Sequence, residues 1–220
     1  ASNSPSACNT GTEQVVWQVG SLNNVERSGN NLTKIQSNGA WDGGAASFNT
    51  VKDNGYFEFT ASETNLARMI GLSTTNVDNN WTTIQYAFYL LNTGALQIRQ
   101  SGTTIGTFGT YTTSDKLRIA VEGGVVKYYN NGVLLYISTV APTLPLLVDV
   151  SIRDTGSTIS NAVVSNLITS TFTATATNVG SNPVYQWKLN GANVGSNSTT
   201  YVNTSLTNND VVTCEITPDL

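Results

Sequence analysis

The chain has 220 residues, with ten basic and fourteen acidic side chains, two cysteines and no histidine. Without histidine there is no Ser-His-Asp or Cys-His nucleophile pair and no imidazole metal ligand, and two thiols are too few for a four-cysteine zinc site or an iron–sulfur cluster. A net charge of −4 with 11% charged residues offers no basic face to nucleic-acid phosphates, and no apolar run reaches the ~20 residues that span a bilayer.

No nucleic-acid partner and no membrane insertion are therefore expected. The profile reads as a soluble, secreted or cell-surface chain that is not an enzyme. Thr, Asn, Ser and Gly supply nearly half of the residues. Thr suits strands and the other three suit turns, while few residues are left for amphipathic helices. The expected class is all-β.

Residues 1–14 are small, polar and aperiodic, and read as an N-terminal tail. They lack the basic start and apolar centre of an export signal, so any such signal is expected to have been removed. Order is expected to begin at Val15-Val16-Trp17. Asn54-Gly55 then opens the alternating run Tyr56-Phe57-Glu58-Phe59-Thr60, a strand signature. A helical turn is expected at most around residues 62–67. Strands follow at 68–72, 84–91 and 95–100, the last two separated by Asn92-Thr93-Gly94. Residues 116–122, 125–129 and 133–138 form a meander through Gly123-Gly124 and Asn130-Asn131-Gly132, and 144–153 and 158–164 complete the set. Ten to thirteen short strands suit a two-sheet sandwich or jelly roll.

Composition shifts near residue 166. The remainder carries one basic residue, Lys188, against Asp210, Glu215 and Asp219. Its strands are expected at 171–177, at 184–189 before the turn Asn190-Gly191, and at 211–217. The expected division is a tail at 1–14, a large domain at 15–167 and a small one at 168–220.

The small segment resembles the immunoglobulin-like domains that occur in tandem in large secreted proteins of the Bacteroidetes type. Phe172-Thr173-Ala174-Thr175, Tyr185-Gln186-Trp187-Lys188-Leu189-Asn190-Gly191 and Val211-Val212-Thr213-Cys214 carry the resemblance. It implies that Trp187 is the buried tryptophan of strand C and Cys214 the cysteine of strand F. Val212 stands where that fold has its tyrosine, and the preceding strands hold no cysteine to pair with Cys214. The segment also stops short of a final strand, as expected if a longer protein continues beyond it.

The large segment is similar to concanavalin A-like jelly rolls, and among them to SPRY-like domains. The residues that carry this are Arg68-Met69-Ile70-Gly71-Leu72-Ser73, Tyr86-Ala87-Phe88-Tyr89-Leu90, the block Ser114 to Glu122, and Val126-Lys127-Tyr128-Tyr129-Asn130-Asn131-Gly132. The resemblance implies a fold and says little of function, because one fold hosts many.

Glycosidases of this architecture set two carboxylates on one strand face. Here Glu58 and Glu63, and likewise Asp149 and Asp154, are five apart. That spacing points them to opposite faces of a continuous strand. Binding of polysaccharide or glycan is the sharper expectation, because sugars join apolar C–H faces to hydroxyls. Asp78-Asn79-Asn80-Trp81-Thr82 and Trp41-Asp42-Gly43-Gly44 place an indole among polar side chains. Trp81, Trp41, Asp78 and Asn80 are the candidate contacts. The competing reading of any tryptophan in a sandwich is core, and it is adopted for Trp17 and Trp187, which sit in alternating strands. Tyr86, Tyr89, Tyr111, Tyr128 and Tyr129 could line a concave face. Asp78, Asn79 and Asn80 could also supply oxygens to calcium, although Asn-rich turns occur without metal. Cys8 and Cys214 either pair, within one chain or between neighbours, or have partners elsewhere. The alternative function is a structural subunit or spacer of an adhesin or extracellular filament, joined to neighbouring subunits through an open sheet edge.

Overall fold

A computed structural model of the chain describes residues 12–166, 170–203, 206 and 209–219. It divides into two units, Thr12–Asn166 and a second that holds the described residues from Ser170 onward. The described helix consists of two single 3-10 turns, η1 (Val19–Ser21) and η2 (Trp81–Thr83). Residues 62–67, where a helical turn was expected, form none.

Among the described residues the first unit holds fourteen strands: β1 (Thr12–Gln14), β2 (Val25–Ser28), β3 (Asn31–Lys34), β4 (Gly43–Val51), β5 (Gly55–Thr60), β6 (Arg68–Ser73), β7 (Tyr86–Leu90), β8 (Ala95–Gln100), β9 (Thr103–Thr110), β10 (Lys116–Glu122), β11 (Val125–Asn130), β12 (Val133–Ile137), β13 (Leu146–Ile152) and β14 (Thr158–Asn166). One sheet runs β12-β11-β10-β5-β14-β3-β2 with β1 added on β14, and the other runs β4-β13-β6-β7-β8-β9. Every strand pair in the two sheets is antiparallel.

Alternation explains why two sheets suffice. Phe57, Phe59, Leu117, Ile119, Val121, Val126 and Tyr128 of the first sheet enter one continuous core with Ile70, Leu72, Phe88, Leu96, Ile98, Val148 and Val150 of the second. Removing that apolar surface from water is the main favourable term for the unit. Trp17 is buried there too, its Nε1 donating to the Asn30 carbonyl at 3.1 Å. Tyr86, Tyr111 and Tyr128 also point inward, so they line no open face.

The turns obey local chemistry. Asn131-Gly132 joins β11 to β12 with φ of 49° and 79°, the left-handed pair of a type I′ hairpin that asparagine and glycine tolerate. The tail ends earlier than expected, because Thr12–Gln14 pairs with Val163–Ser165 as β1. A register shift between Ser160 and Val163 of β14 accompanies this: the strand pairs with β3 before the shift and with β1 after it. Three exposed polar residues thus become a strand through pairing alone, which local propensity does not reveal.

In the second unit β15 (Ser170–Thr173) pairs with β18 (Thr200–Asn203), and β16 (Val184–Leu189) lies between β17 (Ala192–Val194) and β19 (Val212–Thr217). The first of these strands stops at Thr173, short of the run to 177 that its alternation suggested. Trp187 is 4% exposed and stacks on Tyr201 at 5.8 Å, with Phe172 at 6.5 Å and its Nε1 bonded to the Ser198 carbonyl at 2.8 Å. It is a core residue, as expected. Cys214 is half-buried on β19 with its thiol 3.8 Å from the Glu215 carbonyl; Cys8 lies outside the described residues.

Phe88 is fully buried and meets Tyr128 edge-on at 5.3 Å. Phe88→Ala is expected to lower the stability of the first unit by about 3–5 kcal/mol, with faster amide exchange across residues 12–166. Trp187→Ala is expected to act on amides from 170 onward instead. Hydrogen exchange in a denaturant series reads both.

Candidate functional site

The six-stranded sheet has a second face, and its residues follow from register. One cross-strand row runs Gly44, Ser151, Met69, Tyr89, Gln97 and Thr107, and the next runs Ala46, Asp149, Gly71, Ala87 and Arg99. Small side chains dominate the β4-β13-β6 end, so loops can rest directly on the sheet there. Large ones stand at the β7-β8 end.

Two loops use this floor. The segment after β6 lays Asn79 over Gly44, where any Cβ would overlap the Asn79 side chain. The Asn79 carbonyl accepts Ser151 Oγ at 2.7 Å. Asn80 then caps η2, its Oδ1 accepting Thr82 N at 3.1 Å. Asp78 Oδ1 accepts Asn80 N at 2.8 Å and Thr83 Oγ1 at 3.0 Å. The second loop precedes β4 and is held by Lys34, which is 1% exposed. Lys34 Nζ donates to Asp42 Oδ1 at 2.6 Å, to the carbonyls of Ile152 and Arg153 at 3.0 and 2.8 Å, and to that of Ala40. The ammonium beside Asp42 holds its carboxyl below the usual carboxylate range.

These anchors bring Trp41 and Trp81 together, with ring centroids 6.2 Å apart. Tyr89 completes the group, its ring edge-on to Trp41 at 5.5 Å. All three are half-buried and rest on a small buried cluster of Met69, Ile84 and Ala87. The core reading and the platform reading thus both apply: each ring packs against apolar residues and keeps part of its surface exposed. Arg99 packs against the group, its guanidinium 4.7 Å from the Trp81 ring centroid and 4.9 Å from that of Tyr89. Beside it Gln97 Nε2 donates to Thr107 Oγ1 at 3.2 Å.

The two indoles stand together, whereas Asp78 and Asn80 direct their oxygens into the 78–83 segment and so position Trp81. Asp78, Asn79 and Asn80 each turn to a different partner. Among the described residues no group of three or more Cys, Asp or Glu side chains is placed to hold a metal ion. Glu58 pairs with Arg118 at 2.7 Å, and Glu63 accepts Thr158 Oγ1 at 2.6 Å. Tyr129, on the larger sheet, donates to Glu122 of the adjacent strand at 2.9 Å. Arg99 and Gln97 were not foreseen. Their signal was available in Leu96-Gln97-Ile98-Arg99, where Gln97 and Arg99 alternate with the buried Leu96 and Ile98 and so share the opposite face.

Asp149 lies under the 74–85 loop, 1% exposed, accepting Ser73 Oγ at 2.7 Å. Burial pushes its carboxyl up to about 6, with the nearby Asp78 adding to the effect.

No protein-family model and no curated protein matches the chain. Among solved structures, the TRIM65 PSpry domain superposes with a TM-score of 0.51 at 14% identity, covering 67% of this chain and 91% of that one. The carbohydrate-binding module CBM66 from Bacillus subtilis gives 0.47 at 14% identity over 69% of this chain and 96% of that one. A sialidase gives 0.45 at 13% identity over 64% of this chain, which spans 16% of the sialidase. At these identities the PSpry likeness shows the fold alone: an all-β jelly-roll sandwich. Among the described residues no helix is long and apolar enough to cross a membrane.

Two outcomes follow from the geometry. Replacing Lys34 by Met leaves Asp42 and three carbonyls without their donor; Lys34→Met is expected to cost about 3 kcal/mol and to red-shift tryptophan emission as Trp41 gains water. The folded Asp149 carboxyl keeps a proton that the unfolded chain, with the ordinary value of 3.8, has already released. The contribution of this carboxyl to stability is therefore fully present below that value and is lost as pH rises through about 6, a change on the order of 3 kcal/mol. Asp149→Asn is expected to flatten this part of the profile, read as melting temperature against pH.

Proposed function

We propose that the chain is a non-catalytic extracellular module that binds polysaccharide or glycan on the outer face of its six-stranded sheet. One observation carries the reading: loops some forty residues apart in sequence place Trp41 and Trp81 beside Tyr89 as one half-exposed aromatic shelf. A sugar ring offers apolar C–H faces to such rings and hydroxyls to the amides and hydroxyls around them. Gln97 and Thr107 stand in the same row as Tyr89. The nearest acids support binding over hydrolysis, because Asp149 is buried on Ser73 and Asp78 is engaged by Asn80 and Thr83. A single shelf binds weakly, and repetition along a longer secreted or surface protein would raise avidity.

A second reading is favoured by one feature. β12 is an edge strand of the larger sheet and exposes Val133, Leu134 and Ile137, a surface suited to a neighbouring subunit. The second unit would then be an immunoglobulin-like spacer of a bacterial adhesin or filament, its Trp187 core flanked by the β15-β18 and β17-β16-β19 sheets.

A glycan array followed by calorimetry tests the first reading. Trp81→Ala and Trp41→Ala are each expected to weaken binding ~10-fold or more with an unchanged circular dichroism spectrum and no release of reducing sugar. Failure to bind any glycan overturns the reading. A concentration-independent monomer in sedimentation overturns the second.

A further inference from the structure

Three arginines stand over aromatic rings, and their partners differ. Arg68 lies 6.0 Å from the Tyr111 ring centroid with Glu63 at 3.5 Å, and Arg118 lies 3.9 Å from that of Tyr56 with Glu58 at 2.7 Å. Each of these cations has its carboxylate inside the protein. Arg99 is held by two rings, Trp81 and Tyr89, and is in none of the ion pairs among the described residues. Its Nε is buried without a hydrogen-bond partner. Among the described residues its Nη2 makes one long contact, 3.5 Å to Gln97 Oε1, and its Nη1 makes none.

The acids in the two loops that carry the indoles are already engaged, Asp42 by Lys34 and Asp78 by Asn80 and Thr83. Ring packing strips water from a guanidinium's faces and leaves its edge, with two N–H groups set for a planar two-oxygen acceptor. We infer that Arg99 is the anion-binding element of the shelf and that the sugar bound there carries a carboxylate, as in a hexuronic acid polymer. The sugar ring lies against Trp81 and Trp41, and its carboxylate meets the Nη1–Nη2 edge. Its hydroxyls reach Gln97 and Thr107. This rests on the sugar-binding reading and names the class of sugar.

The test is calorimetry of the full chain at low salt with polygalacturonate, polymannuronate and polyglucuronate. Each is paired with its carboxyl-reduced polymer of the same linkage, and dextran sulfate is set beside dextran. At least one uronate is expected to bind ~10-fold more tightly than its reduced counterpart. That preference should disappear in Arg99→Gln, shrink in Arg99→Lys, and survive in Arg118→Gln, which removes the same charge from the opposite sheet. Equal binding of a uronate and its reduced form overturns the inference and leaves the sugar-binding reading standing. Binding of no polymer at all overturns both. Arg99-dependent binding of dextran sulfate without binding of any uronate overturns the carboxylate assignment. If Arg99→Gln does not fold, the comparison of each uronate with its reduced form on the unaltered protein still decides.

Discussion

One buried ammonium ties together the parts on which the aromatic shelf stands. Lys34 sits at the end of β3 in the larger sheet, on the inward side of that strand's alternation. It reaches the Ile152 carbonyl at the end of β13 in the other sheet, the next carbonyl at Arg153, and the loop that carries Trp41. An ammonium taken from water is costly unless acceptors surround it, so the position is tolerable only where two strand ends and a loop converge. The same requirement makes the convergence specific. An apolar residue there would fill the space without stating which carbonyls belong around it.

The six-stranded sheet works as a partition with unlike sides. Its inner side is continuous with the core, through Ile70, Leu72, Phe88 and Ile98. Its outer side grades from Gly44, Ser151 and Gly71, where loops lie flat, to Tyr89, Gln97 and Arg99, where side chains stand up. The loops are therefore positioned by a rigid layer, the arrangement in which exposed segments hold a recognition geometry. A second small core under Trp41, Trp81 and Tyr89 fixes the ring positions while leaving part of each ring uncovered.

Much of this is legible in the sequence because it is local. Alternation in Tyr56-Phe57-Glu58-Phe59-Thr60 and the Asn131-Gly132 turn identify strands and a hairpin without knowledge of their neighbours. Trp187 is recognisable as core from the strand that holds it, whereas Trp17 is core although it makes a single bridge to Ser47 and lies in no strand. The remainder depends on pairing. Trp41 meets Trp81 only because β13 separates β4 from β6 and β7 follows on the same side, an order no short stretch of sequence encodes. Arg99 joins them through its cross-strand partner Ala87. Thr12–Gln14 is a strand only because β14 provides an edge for it. Asp78 and Asn80 lie beside Trp81 in the sequence, but the direction of their oxygens is set by the turn and not by composition.

An ammonium has three N–H groups, yet Lys34 lies within bonding distance of four acceptors: Asp42 and the carbonyls of Ala40, Ile152 and Arg153. One acceptor must always share. The clasp therefore has slack of a defined kind, since either loop contact can lengthen while all three protons stay bonded to the others. Trp41 is attached through an over-supplied junction, and its indole can adjust by a fraction of an ångström without leaving a buried donor unpaired. The sheet supplies the rigidity of the shelf, and the surplus acceptor supplies its play.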